Sequence, residues 1–140
     1  MAAPAFLDTN IIVYAHDGRD SKKQQIARSL LKAAVVSGTG VVSTQVMQEF
    51  CNVMLRGRPP FMTQAELSLV VTRNIEPLVK HRPSVDFYLR SIQLYTDNSL
   101  SFYDAIIIQA ALDLGCQTLY SEDLQAGQRF GNLEVKNPFA

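Results

Sequence analysis

The sequence offers few of the residues from which common catalytic and binding sites are built. It has only two cysteines, Cys51 and Cys116, and they form neither a CxxC pair nor a Cys/His cluster. We therefore expect free thiols in a reducing compartment, not a disulfide framework or a thiolate metal site. The chain also lacks a GxxxxGK[ST] loop and a GxGxxG turn, which argues against a nucleotide-binding enzyme.

Net charge and long apolar runs are absent as well. The 13 Lys and Arg residues balance the 13 Asp and Glu residues, so no global field attracts nucleic acid, which would have to be held by local basic patches or through a metal ion. No apolar run approaches the roughly 20 residues of a membrane span. Residues Met1 to Ala5 are too few and uncharged for a signal peptide. We predict a soluble, cytoplasmic protein.

What is present indicates one ordered domain. The chain has 140 residues, 47% of them hydrophobic and 19% charged, a composition typical of a globular protein and not of a disordered one. At this length, folding buries roughly two-thirds of the unfolded surface. Because the sequence contains no repeat, linker or low-complexity segment, we predict a single domain over residues 1–140.

Short apolar runs alternate with amphipathic segments along the chain. Strands are predicted at 5–7, 41–43, 76–79, 117–120 and 133–135, and Pro77 favours an edge position for the third. Helices are predicted at 11–16, 21–37, from 43 or 44 to before 56, 63–74, from 84, and from 101 to 115. Such alternation predicts right-handed βαβ units and a mostly parallel sheet covered on both faces.

Several details of these helices can also be predicted. Ser21 and Gln24 have the spacing of a capping box, and Gly38 suits the end of the same helix. Apolar spacing also predicts which side chains of four helices face the core. These are Ile26, Leu30 and Ala34 in the helix from 21; Val46, Phe50, Val53 and Met54 in the helix from 43 or 44; Phe87, Ile92 and Tyr95 in the helix from 84; and Ile107, Ile108, Ala111 and Leu112 in the helix from 101.

Four acids reach one edge of the predicted sheet. Asp8 and Asp123 follow strands, while Glu49 and Asp104 lie in the first turns of helices that begin at that edge. Ligands of open α/β sheets bind at the carboxyl ends of the strands. Each acid alone has a plainer interpretation as a turn residue, a helix cap or a solvated side chain. Together they would repel by about 4 kcal/mol per close pair, which a hard cation relieves.

This set of ligands indicates the metal and its chemistry. Carboxylate oxygens select Mg²⁺ or Mn²⁺ over zinc, and we expect His16 and His81 to be exposed and not to be ligands. Such an ion can activate a water as nucleophile and neutralise charge on a phosphate. The pattern therefore favours a metal-dependent nuclease.

The motifs around these acids resemble the PIN domain, and most specifically the VapC-type toxins of bacterial and archaeal toxin–antitoxin pairs. Four motifs carry the resemblance over essentially the whole chain, which are Asp8-Thr9-Asn10, Gln48-Glu49-Phe50, Tyr103-Asp104-Ala105 and Ser121-Glu122-Asp123. The resemblance implies an α/β fold with three layers, α/β/α, around a mostly parallel central sheet. It also implies a Mg²⁺ or Mn²⁺ site and endonucleolytic cleavage of RNA.

The resemblance assigns roles position by position. It makes the catalytic and metal-binding acids Asp8, Glu49, Asp104 and Asp123. Asn10 and Ser121 match polar positions that support these acids through hydrogen bonds. Glu122 is an alternative to Asp123. Some relatives carry a further acid where this chain has Gln125-Ala126-Gly127, so the number of metal ions stays open.

Partners follow partly from basic residues and partly from the resemblance. Candidate phosphate contacts of an RNA substrate are Arg56, Arg58, Lys22 and Lys23, for each of which ordinary solvation is the alternative. No interleaved aromatic pattern suggests base stacking. The resemblance implies a homodimer and a cognate antitoxin protein that blocks the site. The apolar residues of segment 61–79 are candidates for an interface or for the core.

Other functions fit parts of the pattern. A catalytically silent PIN-like module would bind RNA or a protein, although a binding surface has no need of mutually repelling carboxylates. A receiver-like, phospho-accepting domain also gathers acids at the edge of a parallel sheet, but it needs a lysine at the end of a late strand, and Lys136 lies in the tail. A nuclease acting on DNA is a further alternative.

Overall fold

The computed structural model describes residues 3–57 and 59–140. Within these residues six strands form one sheet; they are β1 (Ala5–Leu7), β2 (Gly40–Ser43), β3 (Val79–His81), β4 (Thr118–Tyr120), β5 (Arg129–Phe130) and β6 (Leu133–Lys136). Their order is β3-β2-β1-β4-β6-β5, and only β5 is antiparallel to its neighbour. The predicted α/β class with a mostly parallel central sheet is confirmed.

The helices lie between these strands in the chain. They are α1 (Thr9–His16), α2 (Ser21–Ser37), α3 (Thr44–Arg56), α4 (Gln64–Val70), α5 (Val85–Asp97) and α6 (Phe102–Asp113). A π-helical segment, Val71–Ile75, and a 3₁₀ turn, Glu76–Leu78, connect α4 to β3. Helices flank the sheet as the α/β/α arrangement requires. No helix in the described part of the chain is long and apolar enough to cross a membrane.

Strand β1 lies in the interior of the sheet and fixes where Asp8 emerges. Phe6 is paired with Val41 of β2 on one side and with Leu119 of β4 on the other. Phe6 and Leu119 are completely buried, which is typical of the centre of a parallel sheet. The residue after this strand therefore lies at the middle of the carboxyl edge.

Helix α2 packs unusually close to β2. A Cβ added at Gly40 would lie 2.0 Å from the Cβ and 2.9 Å from the Cα of Ala34. Glycine is therefore required at this contact between helix and strand. The helix ends at Ser37, and Gly38 adopts the left-handed conformation (φ 71°), as predicted.

Several local predictions were wrong. Asp20, not Ser21, caps α2, because its side chain accepts a hydrogen bond from the Lys23 backbone. The edge strand begins at Val79 because the segment around Pro77 forms a 3₁₀ turn. The short strand β5 was not predicted, since two residues carry no detectable period.

The predicted core faces are correct for α3 and α6 but only in part for α2 and α5. In α2 the buried residues are Ala27 and Ala34, at i and i+7, so that the predicted Ile26 lies beside the buried face and is only half-buried. Val46, Phe50 and Met54 are completely buried, and Ile107, Ile108 and Ala111 are buried too. In α5, by contrast, the buried residues are Phe87 and Ser91, whereas Ile92 and Tyr95 are about half exposed. The buried face of α5 runs through Phe87, Ser91 and Leu94, at i, i+4 and i+7, and Ile92 and Tyr95 lie to one side of it.

The burial of the apolar residues of segment 61–79 and of the two thiols varies from residue to residue. In segment 61–79, Leu67 is buried, and Met62, Val70 and Val71 pack against the core. Both cysteines are free thiols. Cys116 is buried, which raises the pKa of its thiol to about 12 and makes it unreactive.

Candidate active site

Asp8 caps helix α1 at the end of the central strand. Its Oδ1 accepts a hydrogen bond from the Thr9 backbone at 2.7 Å, and its Oδ2 accepts one from the Ser121 hydroxyl at 2.8 Å. Its own backbone N–H donates to the Tyr120 carbonyl at 3.0 Å, which continues the pairing of β1 with β4. The residue is only 8% exposed. The carboxylate is therefore held in one orientation.

The environment of Asp8 disfavours its charge. The pKa of Asp8 is raised to about 6, mainly because burial removes water from the carboxylate, and the negative charges of Glu49 and Asp123 add to the effect. The hydrogen bonds from Ser121 and Thr9 act in the opposite direction. Among the described residues, none of these three acids forms an ion pair with a basic side chain. Negative charge thus accumulates here without a protein cation to balance it.

Glu49 reaches the same edge from helix α3. Ser43 caps this helix by accepting a hydrogen bond from the Val46 backbone at 3.3 Å. The Thr9 hydroxyl donates to one carboxylate oxygen of Glu49, and the Gln45 amide donates to the other, each at 2.7 Å. Sequence reasoning missed both contacts. The Gln45 contact had a signal, because residues i and i+4 of a helix are neighbours on one face.

Asp123 lies in the loop after β4, which polar side chains hold against α1. The Asn10 amide donates to Asp123 Oδ2 at 3.2 Å, and the Asn10 carbonyl oxygen accepts from the Glu122 backbone at 3.2 Å. The completely buried Ser121 hydroxyl accepts from the Asp123 backbone at 3.2 Å. Asn10 and Ser121 therefore link the Asp8 and Asp123 carboxylates through short hydrogen-bonded chains.

Asp104 is the one predicted acid that the structure does not join to the others. It lies in the first turn of α6, where its backbone N–H donates to the capping Ser101 hydroxyl at 3.1 Å. Within the described part of the chain its side chain makes no hydrogen bond or ion pair. Its neighbour Tyr103 lines a cavity together with Glu49, which places the start of α6 on the Glu49 side of the site.

A divalent cation at this edge of the sheet would be held by few protein ligands. Over residues 3–57 and 59–140, no three His, Cys, Asp or Glu side chains are grouped closely enough to hold a metal ion. Mg²⁺ does not need such a group, since it keeps several waters and is usually bound through one or two carboxylates. The uncompensated charge around Asp8 and the all-oxygen donor set fit a hard cation of this kind.

An open cleft of about 480 Å³ runs along two of these acids. Its lining includes Glu49 and Asp123, and also two arginines, Arg19 and Arg56. Arg56, predicted as a phosphate contact, is exposed and forms no ion pair with a described residue. The other arginine predicted from that loop, Arg58, lies outside the described residues.

Arg19 was missed by the sequence analysis. Its guanidinium forms an ion pair with Asp17 at 2.7 Å and lies 4.5 Å above the ring centre of Phe61. These contacts fix the side chain at the mouth of the cleft. The Asp17 contact follows from close spacing, but Phe61 is too distant in the sequence for any pattern to indicate it.

Lys23 and Glu122 are paired with each other at the edge of the site. They form an ion pair, and the Tyr14 hydroxyl donates to Glu122 at 2.7 Å. Although burial alone would raise the pKa of Glu122, the contacts with Lys23 and Tyr14 outweigh it, so that this pKa is lowered. Glu122 is thus committed to this ion pair, and Lys23, its partner, lines neither of the two cavities at the site. Lys22 is exposed and lines none of the cavities described here.

The prediction that both histidines are exposed was wrong. His81 is buried, and its Nε2 lies 3.0 Å from Asp113 Oδ2. His16 is half-buried, with Nδ1 2.9 Å from the Ile12 carbonyl. Burial lowers the pKa of His16, which favours its neutral form. Polar neighbours in sequence were misleading because strand β3 and helix α1 turn these rings inward.

Comparison with known protein families gives a single assignment. Residues 5–129 match the PIN domain. The chain belongs to the PIN domain family. A search of curated protein sequences finds no significant match.

Several solved structures resemble the fold over 85% to 96% of the chain. VapC20 of Mycobacterium tuberculosis, a sarcin–ricin loop cleaving toxin, is 18% identical and covers 85% of this chain and 89% of its own, with a TM-score of 0.61. A toxin–antitoxin complex from Klebsiella pneumoniae is 21% identical over 96% and 97% of the two chains (TM-score 0.64). VapBC2 of Rickettsia felis, bound to a promoter DNA fragment, is 18% identical over 95% and 97% (TM-score 0.63). These similarities show the fold.

Proposed function

We propose that this PIN domain is a Mg²⁺-dependent endoribonuclease of the VapC type, the toxin of a toxin–antitoxin pair. The observation that carries the proposal is the buried Asp8 carboxylate, whose pKa is raised by burial and by Glu49 and Asp123 and which has no basic partner among the described residues. A binding surface gains nothing from such repulsion, whereas a cation site requires it. The similarity to a sarcin–ricin loop cleaving toxin supports the same reaction.

The residues of the site have distinct proposed roles. Asp8, Glu49 and Asp123 would hold the ion, with Asp104 as a fourth acid from the start of α6. When bound, Mg²⁺ supplies an activated water and positive charge at the phosphate. Ser121 and Asn10 keep the Asp8 and Asp123 carboxylates oriented through the hydrogen bonds described above. Hydrolysis then forms one phosphorus–oxygen bond to the water oxygen and breaks the bond to the leaving ribose oxygen, which takes a proton.

The proposal includes a substrate and two protein partners. Arg56 and Arg19 line the acidic cleft, where they can contact RNA phosphates on either side of the reacting one. The toxin–antitoxin complexes among the similar structures support a cognate antitoxin. A second copy of the chain is the other proposed partner, as the resemblance to VapC-type toxins implies.

One observation favours a second candidate, a PIN domain that binds RNA or a protein without cutting. The described acids do not form a ready-made group of metal ligands. In that case RNA would be bound and stay intact in the presence of any divalent ion. The experiment below separates the two functions.

The first prediction is metal-dependent cleavage of RNA. Purified protein, freed of any bound partner, is incubated with a mixed RNA pool and with DNA of the same sequences, in Mg²⁺, Mn²⁺ or EDTA. We expect cleavage of RNA in either metal and none in EDTA. Asp123→Asn is expected to lower the rate at least about 100-fold, since even residues that only support metal ligands account for 10- to 100-fold.

The adjacent acid provides the matched control for this experiment. Glu122→Gln also removes one negative charge, but from a side chain that is already paired with Lys23, and we expect cleavage close to that of the wild type. An intact RNA pool under every condition, with RNA still bound, would support the silent module instead. An equal loss of RNA cleavage in Asp123→Asn and Glu122→Gln would contradict the proposal that Asp123, and not Glu122, holds the ion.

A further inference from the structure

A second cavity, of about 450 Å³, adjoins the acidic cleft. Its walls carry aromatic rings from two helices, Phe87 and Tyr88 of α5 and Phe102 and Tyr103 of α6. The amide side chains of Gln48 and Asn52, on α3, line it as well. The volume is in the range of small-ligand sites in proteins. This combination of rings and amides is unrelated to the chemistry of the acids.

The two cavities share a wall. Glu49 and Asn52 line both of them, so the acidic edge forms the boundary between an arginine-lined cleft and an aromatic cavity. A chain whose phosphate lies at Glu49 would therefore place the group attached to the next sugar at the entrance of the aromatic cavity. The position of the cavity indicates a part of the same ligand.

The side chains that line the aromatic cavity indicate which chemical group of the ligand would bind there. The side-chain amides of Gln48 and Asn52 make no hydrogen bond in the described part of the chain, so they are free to donate and accept. A purely apolar occupant, such as a partner's leucine, would remove water from both amides without replacing its hydrogen bonds, which is unfavourable. A planar group with polar edges satisfies the amides and stacks on the rings.

We propose that this cavity, named here the base pocket, binds an unpaired nucleobase of the RNA next to the scissile phosphate. The inference rests on the proposed nuclease function, because it takes the phosphate to lie at the acids. Sequence-dependent recognition of single-stranded RNA uses aromatic stacking together with hydrogen bonds to base edges. In this arrangement Tyr88 and Tyr103 provide stacking surfaces, Gln48 and Asn52 read the base, and the arginines of the cleft contact phosphates whatever the sequence.

Two probes separate base contacts from phosphate contacts. The first probe is a set of fluorescent ten-nucleotide RNAs, U10, C10 and A10. The second is a fluorescent chain of ten tetrahydrofuran phosphates, which carries the phosphates but no bases. Affinities are measured by fluorescence anisotropy in EDTA, so that metal-dependent cleavage cannot occur, and gels verify that the RNA is intact. Light scattering gives the mass of every variant in the same buffer.

We expect Tyr88→Ala and Tyr103→Ala to weaken binding of the best RNA by about 5- to 150-fold, the range for loss of one stacked base. Neither change should affect the base-free chain. Both tyrosines are substantially exposed, so the variants should fold. Arg56→Ala should weaken binding of both probes by the same factor. Leu89→Ala, on the exposed face next to Tyr88, is the matched control and should leave both affinities unchanged.

Three results would overturn the base pocket. The first is a wild type that binds RNA no better than the base-free chain. The second is equal binding by the tyrosine variants and the wild type. The third is a lower mass of the tyrosine variants with equal loss for both probes, which would assign the cavity to a contact between copies of the chain. If the affinities follow the expected pattern but the protein cuts no RNA, the base pocket is supported and the nuclease function is contradicted. The two proposals can therefore be tested independently of each other.

Discussion

The metal-free protein is expected to become more stable at pH 7.5 when Asp8 is replaced by asparagine, although the same change should abolish RNA cleavage. The folded state raises the pKa of this carboxyl from 3.8 to about 6. Below pH 3.8 the carboxyl is protonated in both the folded and the unfolded state. Above pH 6 it is ionised in both, and the folded state carries the full cost of the buried charge. Stability is therefore lost as the pH rises from about 4 to about 6.

The size of the effect follows from the shift. Each pKa unit corresponds to 1.36 kcal/mol, so the shift from 3.8 to about 6 amounts to about 3 kcal/mol in full. Because the carboxyl of the unfolded chain is already more than half ionised at pH 4, the difference in unfolding free energy between Asp8→Asn and wild type should grow by about 2.4 kcal/mol from pH 4 to pH 7.5. A constant penalty of about 1 kcal/mol is expected at every pH, because the new amide faces the Ser121 oxygen, which already accepts hydrogen bonds from the backbone of Asp123 and Leu124. Urea unfolding in EDTA at several pH values measures both quantities.

Asp113 offers a control with the opposite sign. Burial would raise its pKa, but hydrogen bonds from His81, Gln109 and Arg90 outweigh this effect, and the pKa of Asp113 is lowered. Its contribution to stability is present above the ordinary pKa of 3.8 and is lost as the pH falls through the folded-state value. Asp113→Asn should thus lower the unfolding free energy at pH 7.5. An Asp8→Asn variant that behaves like Asp113→Asn would contradict the account of the site.

Phe50→Ala should lower the free energy of unfolding by about 3–5 kcal/mol, the range for truncating a buried phenylalanine. The ring is completely buried on the core face of α3 and packs edge-on against His16, with their centres 5.3 Å apart. Because Glu49 is the preceding residue, the packing of this ring also fixes the position of one of the acids. Thermal or urea unfolding measures the loss.

Leu55→Ala is the matched control on the same helix. Leu55 is 54% exposed, and its truncation should change the unfolding free energy by no more than about 0.5 kcal/mol. A loss of less than about 1.5 kcal/mol for Phe50→Ala would show that α3 is not anchored to the core at this residue. The position of Glu49 would then need another explanation.

The elements that were predicted correctly have signals within short stretches of sequence. Helix α3 combines a serine cap with apolar residues at Val46, Phe50 and Met54, and its start and core face are those expected, while it ends at Arg56, one residue later than predicted. Helix α5 shows where such reasoning fails. Because apolar side chains occur around much of the helix, the pattern could not select the face around Phe87, and Ile92 and Tyr95 were assigned to the core although they are half exposed.

The features of the candidate site also divide into those with a local sequence signal and those that depend on distant residues. That Asp8 follows the first strand could be predicted, because an apolar run ends there. Its raised pKa could not be, since it depends on burial and on Glu49 and Asp123 in distant parts of the chain. The contact of Arg19 with Phe61 and the aromatic cavity beside Glu49 likewise exist only in the folded chain. Sequence reasoning found no sign of base stacking because the rings come from separate helices.

The central claim is that the acids around Asp8 are kept close together for a divalent cation. Its most direct test is the free energy of urea unfolding at pH 7.5, with and without Mg²⁺ or Mn²⁺, for wild type and Asp8→Asn. An ion that binds the folded state stabilises it by about 1.4 kcal/mol for each tenfold excess over its Kd. We predict that either ion stabilises the wild type and leaves Asp8→Asn unchanged. Equal stabilisation of both proteins, or of neither, would contradict the claim.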